Sequence, residues 1–315
     1  AVVAGVSFAV SFASKSCTRR TFCRTAGLAA TAVAAGPSAG RASSPSNPTP
    51  AARVLVVRNT TVIVELAGLR VLVDPSFAPG LGAPGVWQAP PPAVLPEAVG
   101  RVDVVLVTGC VPGGFDVDGF ARLDARGAAV LVADEATRRR VARIGQTQRV
   151  RMVVAGDVVR VGPLVVTASP ARSVPGDGLG FHLAVRGSDD GDDAAPALWH
   201  TGMLPPLEVD ARVVGFAADH PADVVLGVCS SLAWRGFGPA WSAGLRDVVA
   251  LARRAGASSL VPLGRDVGVA PLLSGLLDVG ATADDPAGID GDVLVVSEPA
   301  GTWLRPSRRL RRGRR

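Results

Sequence analysis

Short runs of Val, Ile and Leu, each closed by Gly, Pro or Asp, recur from residue 53 onward. Arg53–Val57, Thr61–Leu66 and Arg70–Asp74 come first, and the last two flank Ala67-Gly68-Leu69, a spacing that predicts a tight hairpin. Residues 78–100 are rich in Pro and Gly and predict a loop. Val102–Thr108 is an unbroken apolar run, which predicts a strand buried on both faces. Asp116 and Asp118 stand where a short helix begins. Ala128–Ala133 predicts a strand, and Asp134 then caps a helix to about Ile144. Arg151–Val154, Val158–Val161, Leu164–Ala168, Phe181–Arg186 and Ala197–His200 form a second strand group. Three helix–strand units follow. Val209–Ala218 leads into Ala222–Val228, Trp241–Ala255 into Ser258–Leu263, and Val269–Val279 into Asp292–Val296.

The hairpins that stop at Asp74-Pro75 and at Ser169-Pro170 look alike, which suggests two similar β-rich halves. Strands this apolar need cover on both faces. The pattern therefore predicts one α/β domain over 53–304, a four-layer αβ/βα sandwich with two sheets face to face and helices outside.

Composition narrows the picture. The chain has 315 residues, 48% of them hydrophobic and 19% charged, enough for a sizeable core. It has one lysine, Lys15, against 32 arginines, a bias that argues against reading arginine itself as phosphate recognition. The net charge of +6 comes from the ends: residues 42–304 hold 21 basic and 27 acidic side chains. A body that is acidic on average predicts no nucleic-acid partner.

Residues 1–41 contain no acid and read as a two-part targeting leader. The first sixteen residues have transit-peptide composition. Arg19, Arg20 and Phe22, ahead of the apolar run Ala26 to Ala35, resemble a twin-arginine export signal, and Ala32-Val33-Ala34 offers a small-x-small cleavage site. Together they imply the thylakoid lumen of a chloroplast, with a bacterial periplasm as the alternative. Residues 42–52 read as a linker.

The order of segments resembles the metallo-β-lactamase-fold hydrolases, in particular their lactonase and N-acyl-phosphatidylethanolamine phospholipase branch. The resemblance rests on Arg58-Asn59-Thr60-Thr61-Val62-Ile63-Val64-Glu65, Leu72-Val73-Asp74-Pro75, Val102–Thr108, Ala155-Gly156-Asp157, Gly180-Phe181, Trp199-His200-Thr201-Gly202 and Asp223–Leu226. It covers nearly all of 53–300. The resemblance implies a loop after the central strand that throws histidines and an aspartate onto zinc or another divalent metal, which activates a water. Here that segment reads Thr108-Gly109-Cys110-Val111-Pro112-Gly113-Gly114. The family ligand positions fall at Gly109, Val111, Gly113, Gly114, Ser173, Met203 and Gly264. Glycine and valine offer no donor, and a neutral thioether replaces a hard carboxylate at Met203. The expectation is no metal cofactor. Asp74 keeps a position that, in the family, supports the ligand loop through hydrogen bonds.

Other chemistry is sparse. The three histidines are His182, His200 and His220, none at a family ligand position. Strand alternation predicts that His200 faces away from Met203. His220 precedes Pro221 where a helix ends and suits its dipole. Cys110 and Cys229 each follow a buried strand, which leaves a disulfide or two buried thiols open. Ser230-Ser231 ends a buried strand without a nucleophile-elbow motif. The acidic turn 189–193 lacks calcium-loop spacing. Arg308, Arg309, Arg311, Arg312, Arg314 and Arg315 form a basic tail over 305–315, suited to weak contact with an acidic membrane surface or partner.

These readings predict a non-catalytic protein that binds a protein or small-molecule ligand through the old cleft. The alternatives are a hydrolase of esters, lactones or phosphodiesters with a relocated or metal-free site, and a thiol redox module built on Cys110 and Cys229.

Overall fold

The computed structural model describes residues 52–78, 86–88, 91–109, 115–147, 149–173, 176–187, 195–204, 210–229, 232–234, 243–264, 267–269, 277–279, 293–296 and 299–306. All of them lie within one compact unit, Asn47–Arg315. The leader, the loop 110–114, the acidic turn 189–193, Ser230-Ser231 and the tail from 307 lie outside the described residues.

Strands β1 (Ala52–Arg58), β2 (Thr61–Leu66) and β3 (Leu69–Val73) form an antiparallel meander. The short β4 (Val86–Gln88) follows, then β5 (Val104–Val107), helix α1 (Val117–Ala121), β6 (Ala129–Val132), helix α2 (Glu135–Ile144) and β7 (Val150–Met152). Strands β3, β5, β6 and β7 run parallel. The second half begins with β8 (Val158–Val161), β9 (Leu164–Ser173), β10 (Gly176–Val185) and β11 (Leu198–Met203). Helix α3 (Ala211–Asp219), β12 (Val224–Val228), β13 (Leu232–Trp234), helix α4 (Leu245–Arg254) and β14 (Ser259–Leu263) come next. The chain closes with β15 (Val267–Val269), β16 (Leu277–Val279), β17 (Leu294–Val295) and β18 (Trp303–Leu304). One seven-stranded sheet has the order β18-β1-β2-β3-β5-β6-β7, the other β17-β14-β12-β11-β10-β9-β8.

Side-chain alternation sorts the core into three layers. Val62, Val64, Val104 and Leu106 of the first sheet meet Phe181, Leu183, Leu198 and Leu226 of the second between the sheets. The opposite faces are covered by helices. Ile63, Val105 and Val107 pack with Phe120 of α1 and Val141 of α2. Trp199, Val225 and Leu260 pack with Val213 of α3 and Val248 of α4. A strand such as β5 contributes to two layers at once, which is why Val104–Val107 is apolar at every position. The predicted four-layer sandwich is the observed fold.

Caps set the helix starts. Asp134 accepts from the Thr137 N–H at 2.8 Å and opens α2, and Gly145 ends it with φ 74°. Asp116 caps α1 through the Asp118 N–H and also takes the N–H groups of Phe77 and Ala78 at 3.2 and 2.9 Å. It therefore ties the loop after β3 to the helix after β5.

Three readings need correction. The loop predicted over 78–100 contains β4, which pairs with β15, and a 3-10 turn at Pro96–Ala98. The helix predicted over Val269–Val279 has strand at both ends: β15 closes on Val269, and β16 pairs with β13. The Leu/Val spacing there mimics a helical period, but cross-strand partners decide the conformation. Ser169-Pro170 does not end its hairpin either, because β9 runs on to Ser173 against β10. Ala168 donates to Asp157 on the β8 side, so Pro170, two residues on, turns its missing N–H to the same side. There β8 has already stopped, opposite Thr167, and no ladder bond is lost.

Candidate functional site

The C-terminal ends of β3, β5, β11, β12 and β14 gather at one end of the sandwich. Asp74 follows β3 with φ 46°, a left-handed conformation uncommon outside glycine. Four bonds hold it there. Its N–H donates to the Leu106 carbonyl at 2.9 Å, and its carbonyl accepts from the Thr61 hydroxyl at 2.6 Å. Its carboxyl accepts from the Thr108 N–H and the Thr108 hydroxyl, both at 2.8 Å. Asp74 thus fixes the residue directly before Gly109, the supporting role that the family position implies. Burial pushes this carboxyl from 3.8 up to about 7, against the two Thr108 bonds.

Gly109 has φ 67°, and Gly264, after β14, has φ 77°. A Cβ at Gly109 would stand 3.0 Å from the Ala133 Cβ and 3.5 Å from an Asp134 carboxylate oxygen. Both positions are therefore adapted to glycine, by left-handed backbone at each and by crowding at the first. Met203 is buried at the end of β11. Ser173 ends β9 opposite Gly176. Val111, Gly113 and Gly114 lie outside the described residues, as does Cys110.

His200 departs from expectation. Three residues of β11, from His200 to Met203, span the two steps from Leu226 to Val228 of β12. This bulge puts His200 and Met203 on the same side, because Leu226 and Val228 both face the inter-sheet core. Simple alternation, which separates them, fails for this reason. The His200 ring is fully buried, its Nδ1 accepts from the Gly202 N–H at 3.2 Å, and the Thr60 backbone of the facing sheet lies beside it. Its Nε2 makes no hydrogen bond of proper geometry. Burial lowers this imidazole from 6.5 to about 4, so it is neutral near pH 7.

The other histidines lie elsewhere. His182 is on β10 beneath α3, the face opposite Phe181 and Leu183, and its Nε2 donates to the Pro221 carbonyl at 3.0 Å. Burial lowers its pKa. His220 follows α3, stacks on Phe216 with centroids 4.0 Å apart, and its Nδ1 lies 3.2 Å from the Phe216 carbonyl. Cys229 is fully buried and its thiol donates to the Gly227 carbonyl at 3.2 Å. Among the described residues no three His, Cys, Asp or Glu side chains converge as a metal site would require. The divalent metal implied by the resemblance does not fit Gly109, Met203 and Gly264.

Two residues entered the sequence reading only as parts of the resemblance, without a role. Gly180 of β10 sits where a Cβ would fall 2.4 Å from the Ser169 hydroxyl and 2.5 and 2.6 Å from the Thr201 and His200 carbonyls. Arg58 is buried at the β1–β2 turn with its terminal nitrogen donating to the carbonyls of Ser76 and Ala78. The sequence signal for the latter is an arginine that ends an otherwise apolar run, Val54-Leu55-Val56-Val57.

No family model and no curated protein matches the chain. Solved structures do. The chain is similar to an isothiocyanate hydrolase from Delia radicum gut bacteria, with 14% identity, 80% of this chain and 98% of that chain covered, and a TM-score of 0.58. It is similar to Igni18, a metallo hydrolase from Ignicoccus hospitalis, with 13% identity, 80% and 97% covered, and a TM-score of 0.54. It is also similar to the metallo-β-lactamase fold protein YhfI from Bacillus subtilis, with 11% identity, 80% and 98% covered, and a TM-score of 0.50. The chain has the metallo-β-lactamase fold. At these identities the likeness defines the fold and leaves chemistry to be argued from the site.

Proposed function

We propose that this protein is a non-catalytic member of its fold class that binds a ligand or partner at the end of the sandwich where relatives carry a metal. The observation that carries the reading is glycine in left-handed backbone at positions 109 and 264. Glycine brings no donor side chain to either position, and a buried thioether at Met203 adds no hard ligand. The supporting frame is intact: Asp74 still grips Thr108, and the Leu179 N–H of the second sheet still reaches the Thr108 carbonyl at 2.9 Å. A frame kept without its donors suits recognition rather than water activation. The acid-free leader with Arg19 and Arg20 supports a place in the thylakoid lumen, and the basic tail supports weak contact with an acidic surface.

The test is metal content of the protein purified without a metal-binding tag. The expected result is negligible zinc, manganese and iron, with no rise in melting temperature when they are added. One or two tightly held metals per chain, with turnover of an ester, lactone or phosphodiester, would overturn the reading.

A further inference from the structure

Charge is spread unevenly over this fold. Residues 126–160 hold eight arginines against Asp134, Glu135 and Asp157. The remainder of 42–304 holds 13 basic and 24 acidic side chains. The body is therefore basic along the stretch from β6 to β8 and acidic on average outside it. This contrast is one of net charge and does not depend on the preference for arginine over lysine.

Helix α2 carries most of the positive charge. Thr137 and Val141 turn in toward the sheet, which leaves Arg139, Arg140 and Arg143 exposed on the outer surface. Their spacing of three and four makes Arg143 a neighbour of both others. The one acid of the helix, Glu135, already pairs with Arg138 and Arg139. Arg140 and Arg143 have no ion pair among the described residues. Like charges at this spacing weaken a helix that faces only water, where acids placed between them would support it.

Apolar surface adjoins these arginines. Strand β7 ends its sheet and packs against α2. Met152 is in parallel register with Val132, whose side chain belongs to the helix-side cluster, so Met152 emerges on the same side of the sheet as α2. It is 46% exposed, and Val154, two residues on, is 59% exposed.

We propose that the outer surface of α2, with the adjoining margin of β7, docks on a membrane surface rich in anionic lipid. Arg139, Arg140 and Arg143 meet the headgroups, and Met152 reaches the apolar boundary beneath them. Charge complementarity sets the sign of the occupant. Lipid fits better than nucleic acid, because exposed Met152 and Val154 gain nothing from a phosphate backbone. Residues 126–160 also contain no aromatic side chain on which a base could stack. The same surface repels the acidic remainder of the body, so this side alone faces it. Helix α2 starts at the site end, where Asp134 lies beside Gly109, so docking holds that end close to the lipid. The surface is distinct from the basic tail and does not depend on what the site end binds.

The test is co-sedimentation of the intact chain with vesicles of phosphatidylcholine alone and of an equal mixture with phosphatidylglycerol. Binding is expected only to the mixed vesicles and should weaken as salt is raised. Two double variants remove equal charge from different faces. Arg140→Gln with Arg143→Gln takes it from α2 and should weaken binding by about 25-fold, at about fivefold per charge. Arg253→Gln with Arg254→Gln takes it from the exposed end of α4, over the second sheet, and should change binding by less than about twofold. Met152→Asp keeps every arginine and should weaken binding by about tenfold. All of these side chains are exposed, so each variant keeps the fold. No binding to the mixed vesicles overturns the proposal. Equal effects of the two double variants mean that the tail or the charge of the whole chain is responsible, and overturn the face. A Met152→Asp protein that binds as the parent does removes the β7 margin from it. Binding of polyuridylate in place of the mixed vesicles assigns the face to nucleic acid and overturns the lipid.

Discussion

Asp74 is a carboxyl buried under a fold that holds it by two bonds from Thr108, and its titration should be visible in stability. Burial raises its native value from 3.8 to about 7. Between those values the unfolded chain has lost the proton and the native chain keeps it, so the native state binds more protons. Stability must then fall as pH rises through the window. At about 1.4 kcal/mol per unit over roughly three units, the loss from pH 4 to pH 7 is about 4 kcal/mol. Asp74→Asn removes the titration. Its amide accepts from the Thr108 N–H and donates to the Thr108 hydroxyl, so at pH 4 it stays close to the protonated acid it replaces. The quantity to measure is the difference in unfolding free energy between variant and parent, from urea titrations followed by tryptophan emission at a series of pH values. That difference should climb in favour of the variant by about 4 kcal/mol between pH 4 and pH 7 and then level off. A difference that does not change with pH would mean that Asp74 ionises normally in the native protein, and the reasoning would be wrong.

Two further outcomes follow from the same site end. His200 is lowered from 6.5 to about 4, so the unfolded chain gains a proton below pH 6.5 that the native chain refuses. That contribution is lost as pH falls over the window, about 3 kcal/mol in all, so in urea titrations the stability of His200→Gln relative to the parent should rise by about that much from pH 7 to pH 4.5; a difference that does not change with pH would refute the buried neutral ring. Gly180→Ala forces a methyl against the Thr201 and His200 carbonyls, which no rotamer change relieves, so chemical denaturation should show a loss of about 3 kcal/mol or more; a loss under about 0.5 kcal/mol would show that the strands part easily there.

The Asp74 and His200 effects run in opposite directions over nearly the same pH range. In the parent they nearly cancel between pH 4 and 6.5, and each variant exposes the slope of the other group. The two residues belong to different sheets and share no hydrogen bond, so their contributions should add.

Much of the architecture was legible because it is written in alternation and continuity. Thr61–Leu66 and Val158–Val161 match their strands residue for residue, and the apolar run of β5 announces burial on two faces. Asp134 marks the start of α2 because a cap is a local bond. The errors share one cause. Val269–Val279, Pro170 and residues 86–88 are decided by distant partners: β4 for β15, the end of β8 for Pro170, β13 for β16. A single sequence does not display those partners.

The site divides along the same line. That Gly109, Met203 and Gly264 carry no hard metal donor is a matter of residue identity, and sequence suffices. What stands in their place is a matter of geometry. A one-residue bulge in β11 turns Met203 to the side that His200 already faces, toward the other sheet. No motif encodes this, because the bulge exists only in the pairing of β11 with β12. Asp74 and His200 are read from the backbone in the same way, Asp74 through its left-handed φ and His200 through its register with Leu226.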